Sequence, residues 1–260
     1  MFWIAAVFAA PSPSDFSATA EAGFVAPLRH TIQLGQDGTA LDYVKEGGQD
    51  NLFAVRRMAV EVALGERHSV GLLYQPLDLR TAISAPRDLV FDGVVFPAST
   101  PMELRYGFDF YRASWLVDLV QNDKSELSLG LSLQLRNATL DFTSTDGALR
   151  TTNRDIGPVP LIKARGQYEL SPKAWVGFEV DGFYAPVKYL NGGSADVVGA
   201  IVDASVRAGT HWRWGMDPFV NLRYLGGGAE GTDNTPNAGT DGYVENWLSF
   251  ATVTVGVTVR

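Results

Sequence analysis

The segment Leu127 to Arg136 reads L-S-L-G-L-S-L-Q-L-R. Leu127, Leu129, Leu131, Leu133 and Leu135 alternate with Ser128, Gly130, Ser132, Gln134 and Arg136. Successive residues of a strand point to opposite faces, so one face is pure leucine and the other is small, polar and finally charged. The period alone does not say where the leucines go, because a half-buried soluble strand alternates in the same way.

No stretch approaches the roughly 18 to 20 uninterrupted apolar residues of a spanning helix. The 260 residues contain no cysteine, which excludes disulfides and thiolate metal sites. A formal charge of -8 argues against nucleic-acid binding, which needs clustered Lys and Arg. Phe2 to Ala10 is a short apolar run, followed by a Pro/Ser break and by Ala18-Thr19-Ala20, a small-x-small pattern. Residues 1–20 are therefore expected to be a signal peptide, although no Lys or Arg precedes the apolar run. Residues 21–27 are expected to be a lead-in, and residues 28–260 one barrel.

Ten alternating segments follow. The first is Leu28 to Leu34, with Leu28, His30, Ile32 and Leu34 on one face. The next are Asn51 to Leu64, His68 to about Arg80, and Met102 to Val120. In the last of these Leu104, Tyr106, Phe108 and Phe110 point out, and the phase is expected to slip at a bulge near Arg112. The leucine strand is expected to slip near Asn137, so that Ala138, Leu140 and Phe142 continue its apolar face. Gly157 to Leu170, Ala174 to Ala185, Asp196 to Ala208, Asp217 to Leu225 and Asn246 to Val259 complete the set. Short turns alternate with long polar connections, among them Gly35 to Asp50, Thr143 to Ile156 and Gly226 to Glu245, the last including the Gly226-Gly227-Gly228 run. The connection 81–100 holds an apolar piece, Asp88 to Phe96, expected to form a rim hairpin or to fold into the mouth.

Two features place the apolar face against lipid rather than in a soluble core. The opposite face is densely charged: Glu61, Asp109, Asp118, Glu169, Glu179, Asp181 and Asp203 face Arg57, Arg105, Arg136, Lys163, Arg165, Arg207 and Arg223. Such a near-neutral set suits an enclosed lumen, where unpaired charge is costly. Aromatics also sort to two levels. Trp115, Tyr168, Trp175, Trp212 and Trp214 lie near the short turns; Tyr74, Phe108, Phe142, Tyr184, Tyr224 and Trp247 lie toward the long loops. Amphipathic rings at both interfaces make the girdles of a membrane barrel. A lipocalin-like soluble barrel is the alternative.

On this alternation, these girdles and this loop rhythm, the chain resembles the small bacterial outer-membrane β-barrel proteins over about residues 28 to 260. The resemblance implies an all-β, antiparallel up-and-down transmembrane barrel with periplasmic turns and extracellular loops. It also implies a monomer in the Gram-negative outer membrane, in contact with the bilayer, lipopolysaccharide and the outer-membrane assembly machinery. The ending Thr258-Val259-Arg260 departs from the usual terminal aromatic.

The motifs HExxH and GxSxG, the Walker loop and EF-hand spacing are absent, and neither a cofactor nor a metal is expected. A Ser-His-acid lipid-modifying enzyme would need one of His30, His68 or His211, all expected at the periplasmic end. The inward charges fill the lumen or line a porin-like path for a small solute. Asp37, Asp42, Glu46 and Asp50, then Glu230, Asp233, Asp241 and Glu245, make acidic loops suited to solvent or to divalent ions. Leu89 to Phe96 is the candidate partner contact. The expected function is a structural or narrow-channel barrel, with loop-mediated binding as the alternative.

Overall fold

A computed structural model describes residues 15–186, 196–232 and 240–260. Its strands are β1 (Phe16–Leu34), β2 (Leu41–Asp42), β3 (Phe53–Leu64), β4 (His68–Gln75), β5 (Asp78–Ser84), β6 (Leu89–Phe91), β7 (Val94–Phe96), β8 (Pro101–Gln121) and β9 (Ser125–Ser144). They continue as β10 (Arg150–Ser171), β11 (Ala174–Pro186), β12 (Asp196–Thr210), β13 (Met216–Thr232) and β14 (Tyr243–Val259). Neighbours pair antiparallel in chain order, and β14 pairs back onto β1 from Ala18↔Val259 to Leu34↔Val244, which closes the sheet. β4 and β5 pair successive parts of β8 and act as one interrupted stave, so the wall has ten staves. The fold is a closed, ten-stranded, up-and-down antiparallel barrel, as expected.

The leucine strand lies in β9 with its leucines outward: Leu131 is 59% exposed, whereas Ser128, Ser132 and Gln134 are buried in the lumen. The outer wall continues as an apolar band through Phe24, Val60, Leu72, Ile162, Val206, Leu222 and Val255, all exposed. A wall apolar outside and polar inside is the reverse of a soluble barrel.

The phase differs from expectation in three places. β1 starts at Phe16, so the lead-in and the Ala18-Thr19-Ala20 pattern are strand, paired with both β14 and β3. The first fourteen residues of the assigned signal peptide lie outside the described residues. The true bulge in β1 falls between Pro27 and Arg29, where a missing N–H costs no ladder bond. It turns His30, Ile32 and Leu34 inward, leaving Leu28 outside. β8 does not slip at Arg112: its register against β9 is continuous from Met102↔Ser144 to Asp118↔Ser128. Leu104, Tyr106, Phe108 and Phe110 therefore face the lumen, as do Ala138, Leu140 and Phe142 of the equally unslipped β9. Alternation puts all seven outward only if every apolar face is lipid-facing. In the half of the barrel near the long loops, apolar means core.

That core is sealed by the loops. The 81–100 connection does form the β6–β7 hairpin, and it folds into the mouth, with Leu89, Phe91 and Phe96 fully buried. Its role as an exposed partner contact does not hold for these three. Phe91 stacks on Phe142 at 3.9 Å. The loop through β2 supplies Leu41 and Tyr43, also fully buried. Arg87 to Glu46, at 2.8 Å, ties the two loops together. The staves also run further than the alternation shows. β9 and β10 extend to Ser144 and Arg150 around Asp141, which accepts bonds from Thr143, Arg150 and Thr152. Gly226-Gly227-Gly228 lies within β13 rather than in a loop. Above an apolar band neither face needs apolar residues, so these extensions carry no alternation.

Phe142→Ala removes the ring against which the hairpin stacks. It should lower stability by about 3–5 kcal/mol in urea unfolding of the refolded barrel. It should also expose the peptide bond after Arg87 to trypsin while the wall stays resistant.

Candidate functional site

The inward positions of the short-turn half bring together charges from almost every stave. Arg112 of β8 reaches across the lumen to Asp181 of β11 at 2.7 Å and Asp203 of β12 at 2.9 Å, and it also donates to Gln134 of β9 at 2.6 Å. Lys163 of β10 donates to Asp181 at 2.8 Å and lies 2.9 Å from Glu179. Ser132 donates to the other Asp181 oxygen at 2.7 Å. Arg223 of β13 grips both oxygens of Asp203 and donates to Gln75 of β4.

Below this centre, Glu21, Arg57, Glu179 and Arg207 form a ring from β1, β3, β11 and β12. Arg57 pairs with Glu179 at 3.0 Å and Glu21 at 3.6 Å. Arg207 pairs with Glu21 at 3.2 Å and Glu179 at 4.0 Å. Asn221 and Thr254 each donate to the second Glu21 oxygen at 2.8 Å. A lower tier links Glu61 of β3 to Arg165 at 2.5 Å, and Arg165 to Glu126 of β9 at 3.0 Å. Six cations (Arg57, Arg112, Lys163, Arg165, Arg207, Arg223) meet six carboxylates (Glu21, Glu61, Glu126, Glu179, Asp181, Asp203). The set is neutral, and each carboxylate is engaged by a cation on another stave. Mutual attraction in a low-dielectric interior offsets desolvation only with such saturation.

Of the residues expected in this network, Arg57, Glu61, Lys163, Arg165, Glu179, Asp181, Asp203, Arg207 and Arg223 are brought together. Arg105 and Asp109 are not. With β8 in continuous register they lie on the outer face, where Arg105 pairs with Asp78 at 2.9 Å. Glu169 sits at the short-turn end, away from the centre, bonded to Gln167 and His211. Sequence reasoning missed Arg112, Glu21, Gln75 and Gln134. Unbroken alternation through Phe110 would have found Arg112, and a strand start before Ala20 would have found Glu21.

Of the eleven aromatics expected at the two levels, eight are exposed or partly exposed, and Phe108, Phe142 and Trp175 face inward. Trp115, Tyr168, Tyr184, Tyr224, Trp212 and Trp214 are exposed, and Tyr74, outward and stacked on Tyr111 at 4.9 Å, and Trp247 are partly so. Trp175 turns inward and packs near Phe219, over Gly209, where a Cβ would come within 2.5 Å of the indole.

The histidines separate. His30, with β1 beginning at Phe16, lies toward the long-loop end, not the periplasmic one. It is fully buried between Tyr43, 4.6 Å away, and Tyr106, 4.4 Å away, and its ring nitrogens face Gln49 at 2.8 Å and Asn246 at 3.2 Å. Tyr106 on β8 thus meets β1 across the lumen, so aromatic rings span the barrel above the ion pairs. His68 stacks on Trp115 at 5.8 Å. His211, in the β12–β13 turn, has Glu169 at 2.9 Å on Nε2 and Asp217 at 3.0 Å on Nδ1. Only the imidazolium donates to both carboxylates, so these bonds raise its pKa above the usual 6.5. In the acidic loops, Asp42 pairs with Lys45 and Glu46 with Arg87. Asp233 lies outside the described residues, and no cluster with metal-ligand geometry occurs among the described ones.

No family model matches the chain, and no curated protein matches it. Among solved structures, the outer membrane protease OmpT from Escherichia coli aligns over 96% of this chain and 98% of its own, at 14% identity and a TM-score of 0.50. A Pseudomonas aeruginosa FadL homologue aligns over 95% and 90%, at 9% identity and a TM-score of 0.42. Ail, the attachment invasion locus protein of Yersinia pestis, aligns over 94% and 99%, at 10% identity and a TM-score of 0.38. The first likeness shows the fold of an outer-membrane barrel and nothing narrower.

Arg112→Ala takes one cation from each of two buried aspartates, leaving Asp181 to Lys163 and Asp203 to Arg223 with one negative charge in excess, and should cost about 3–5 kcal/mol in reversible urea unfolding. The His211 clamp has the opposite sense to a carboxylate pair. Because the folded-state pKa is raised, its contribution is fully present below about pH 6.5 and is lost as pH rises through the higher folded value. Urea midpoints of the wild type should therefore fall more steeply than those of His211→Gln across that window.

Proposed function

We propose that this chain is an integral protein of the Gram-negative outer membrane whose barrel stays shut and serves as a scaffold for a rigid cap of loops. The reading is carried by the double closure of the lumen. A neutral ion-pair network crosses it in one half, and an aromatic core crosses it in the other. No charge in the network is left over for a passing solute, and the mouth is filled by Leu41, Tyr43, Leu89, Phe91 and Phe96. The apolar outer band with its aromatic levels supports a bilayer setting, with the short turns periplasmic and the capped mouth outward. Lipopolysaccharide is then the lipid around the cap, and the assembly machinery is the route of insertion. The chain acts as a monomer, since β14 pairs back onto β1 and closes the sheet on itself. If Phe2 to Ala10 is a signal sequence, its cut falls before Phe16, because β1 needs the residues from there on for closure.

A second reading, binding through the cap, is favoured by Val95, which stays 49% exposed on a hairpin bonded to Thr39 of the neighbouring loop and closed at its base by Asp88 and Ala98.

Planar bilayers test the first reading. Refolded wild type that migrates as a heat-modifiable band should give no steady conductance. Deleting residues 88–97 alone should still give none, since the ion pairs remain. The deletion combined with Arg57→Ala and Arg112→Ala should conduct. Steady, ion-selective conductance of the wild type would sink the closed-barrel reading.

A further inference from the structure

The outer wall is not uniformly convex. Toward the long-loop end, β11 to β14 line an open groove of about 780 Å³ that ends at Arg29 of β1. Its floor is made of small residues on outward positions: Gly182, Ala200, Gly226 and Ser249. In register, Tyr184 and Trp247 share the row of Ala200, Val202 stands in the row of Gly182, Gly226 and Ser249, and Tyr224 lies in the next row. The Tyr224 ring lies over Gly226, where a Cβ would meet its hydroxyl at 2.6 Å, and that hydroxyl is 3.0 Å from Ser249 Oγ. The strand ladder is continuous beneath, from Gly182↔Val202 through Val202↔Gly226 to Gly226↔Ser249, so this is a dent in the outer surface and not an opening.

Arg29 stands at the end of this dent because of the β1 bulge. The extra residue puts both Leu28 and Arg29 on the outside, opposite Ser249. Arg29 is exposed and makes no ion pair or side-chain hydrogen bond among the described residues. That contrasts with the lumen, where every cation of the network is matched. An unmatched cation facing hydrocarbon is costly, and in a bilayer it calls for an anion at headgroup depth. The surrounding polar atoms are hydroxyls, on Tyr224 and Ser249, and one carboxylate, Glu245, which already bonds Tyr243. A lone phosphate would find Glu245 repulsive. A phosphorylated sugar would place its phosphate on Arg29 and its hydroxyls on Glu245, Ser249 and Tyr224, with the flat rings of Trp247 and Tyr184 beside it.

We propose that this groove holds one molecule of a phosphate-bearing glycolipid, with its headgroup at Arg29 and an acyl chain along the floor of small residues. The assignment rests on the outer-membrane reading, which puts the long-loop end in the leaflet where such lipids reside. The bulge at Pro27–Arg29 is thereby a lipid-recognition element as well as the point at which β1 changes phase.

The test uses refolded full-length protein, native mass spectrometry in detergent, and diphosphoryl lipid A or phosphatidylglycerol as the probe. Wild type should retain one lipid A in preference to phosphatidylglycerol. Arg29→Gln should weaken retention about fivefold, the worth of one interfacial cation. Ala200→Phe, which fills the floor, should abolish the single-lipid adduct. Both variants should keep heat-modifiable migration, because both positions face outward. Equal retention of the two lipids would overturn the sugar assignment. Retention indifferent to both substitutions would overturn the groove. Absence of any adduct from a barrel that still inserts into vesicles would overturn the proposal and leave the outer-membrane reading standing. Failure to insert would sink both.

Discussion

The salt bridges from Arg112 to Asp181 and Asp203 are the interaction on which the rest of the barrel depends. They run across the lumen, from one wall to the other, rather than along a stave. Backbone ladders fix neighbour to neighbour, but a ring of ladders alone can flatten or breathe. Guanidinium–carboxylate pairs between opposite staves hold its cross-section. The requirement that they balance explains the composition of the inner face. A surplus charge in that enclosure would be uncompensated at several kcal/mol, so within the network acids and bases are equal in number, and amides and hydroxyls take part in the remaining bonds.

Above the ion pairs the same inward positions change character along single strands. β8 passes from Arg112 to Phe110, Phe108, Tyr106 and Leu104 without a change of phase, and β9 passes from Gln134 to Ala138, Leu140 and Phe142. The division follows what each half meets. The lower lumen meets only other staves, which offer charged partners. The upper lumen meets the β6–β7 hairpin and the β2 loop, which bring Phe91, Phe96, Leu41 and Tyr43. His30 marks the border, with polar partners on its nitrogens and aromatic rings on its faces. The result is a barrel closed by two different chemistries in series, electrostatic below and hydrophobic above.

The outer wall is also patterned by one local irregularity. Pro27 lacks the amide a regular ladder needs, and the bulge beside it turns the following residues over. That single step moves His30, Ile32 and Leu34 into the core and leaves Arg29 outside beside the β11–β14 groove. Core packing and outer-surface chemistry at this end are therefore set together.

Much was legible in the chain itself. Period-two alternation over long segments, short turns alternating with long connections, and charges opposite leucines sufficed for a closed antiparallel barrel of ten staves. The same signals identified nine members of the ion-pair network. The direction of the apolar face in β9 followed from the charge on its reverse. Tertiary structure alone decided which apolar residues lie on the outer wall and which face the plug, because alternation is blind to what lies beyond each face. Phe108 and Leu131 read alike in sequence, yet one is buried in the core inside the barrel and the other stands exposed on its outer wall. It also decided the partners of each charge, since pairs such as Glu21 with Arg207 join residues far apart in sequence that only the closure of β1 on β14 brings within reach.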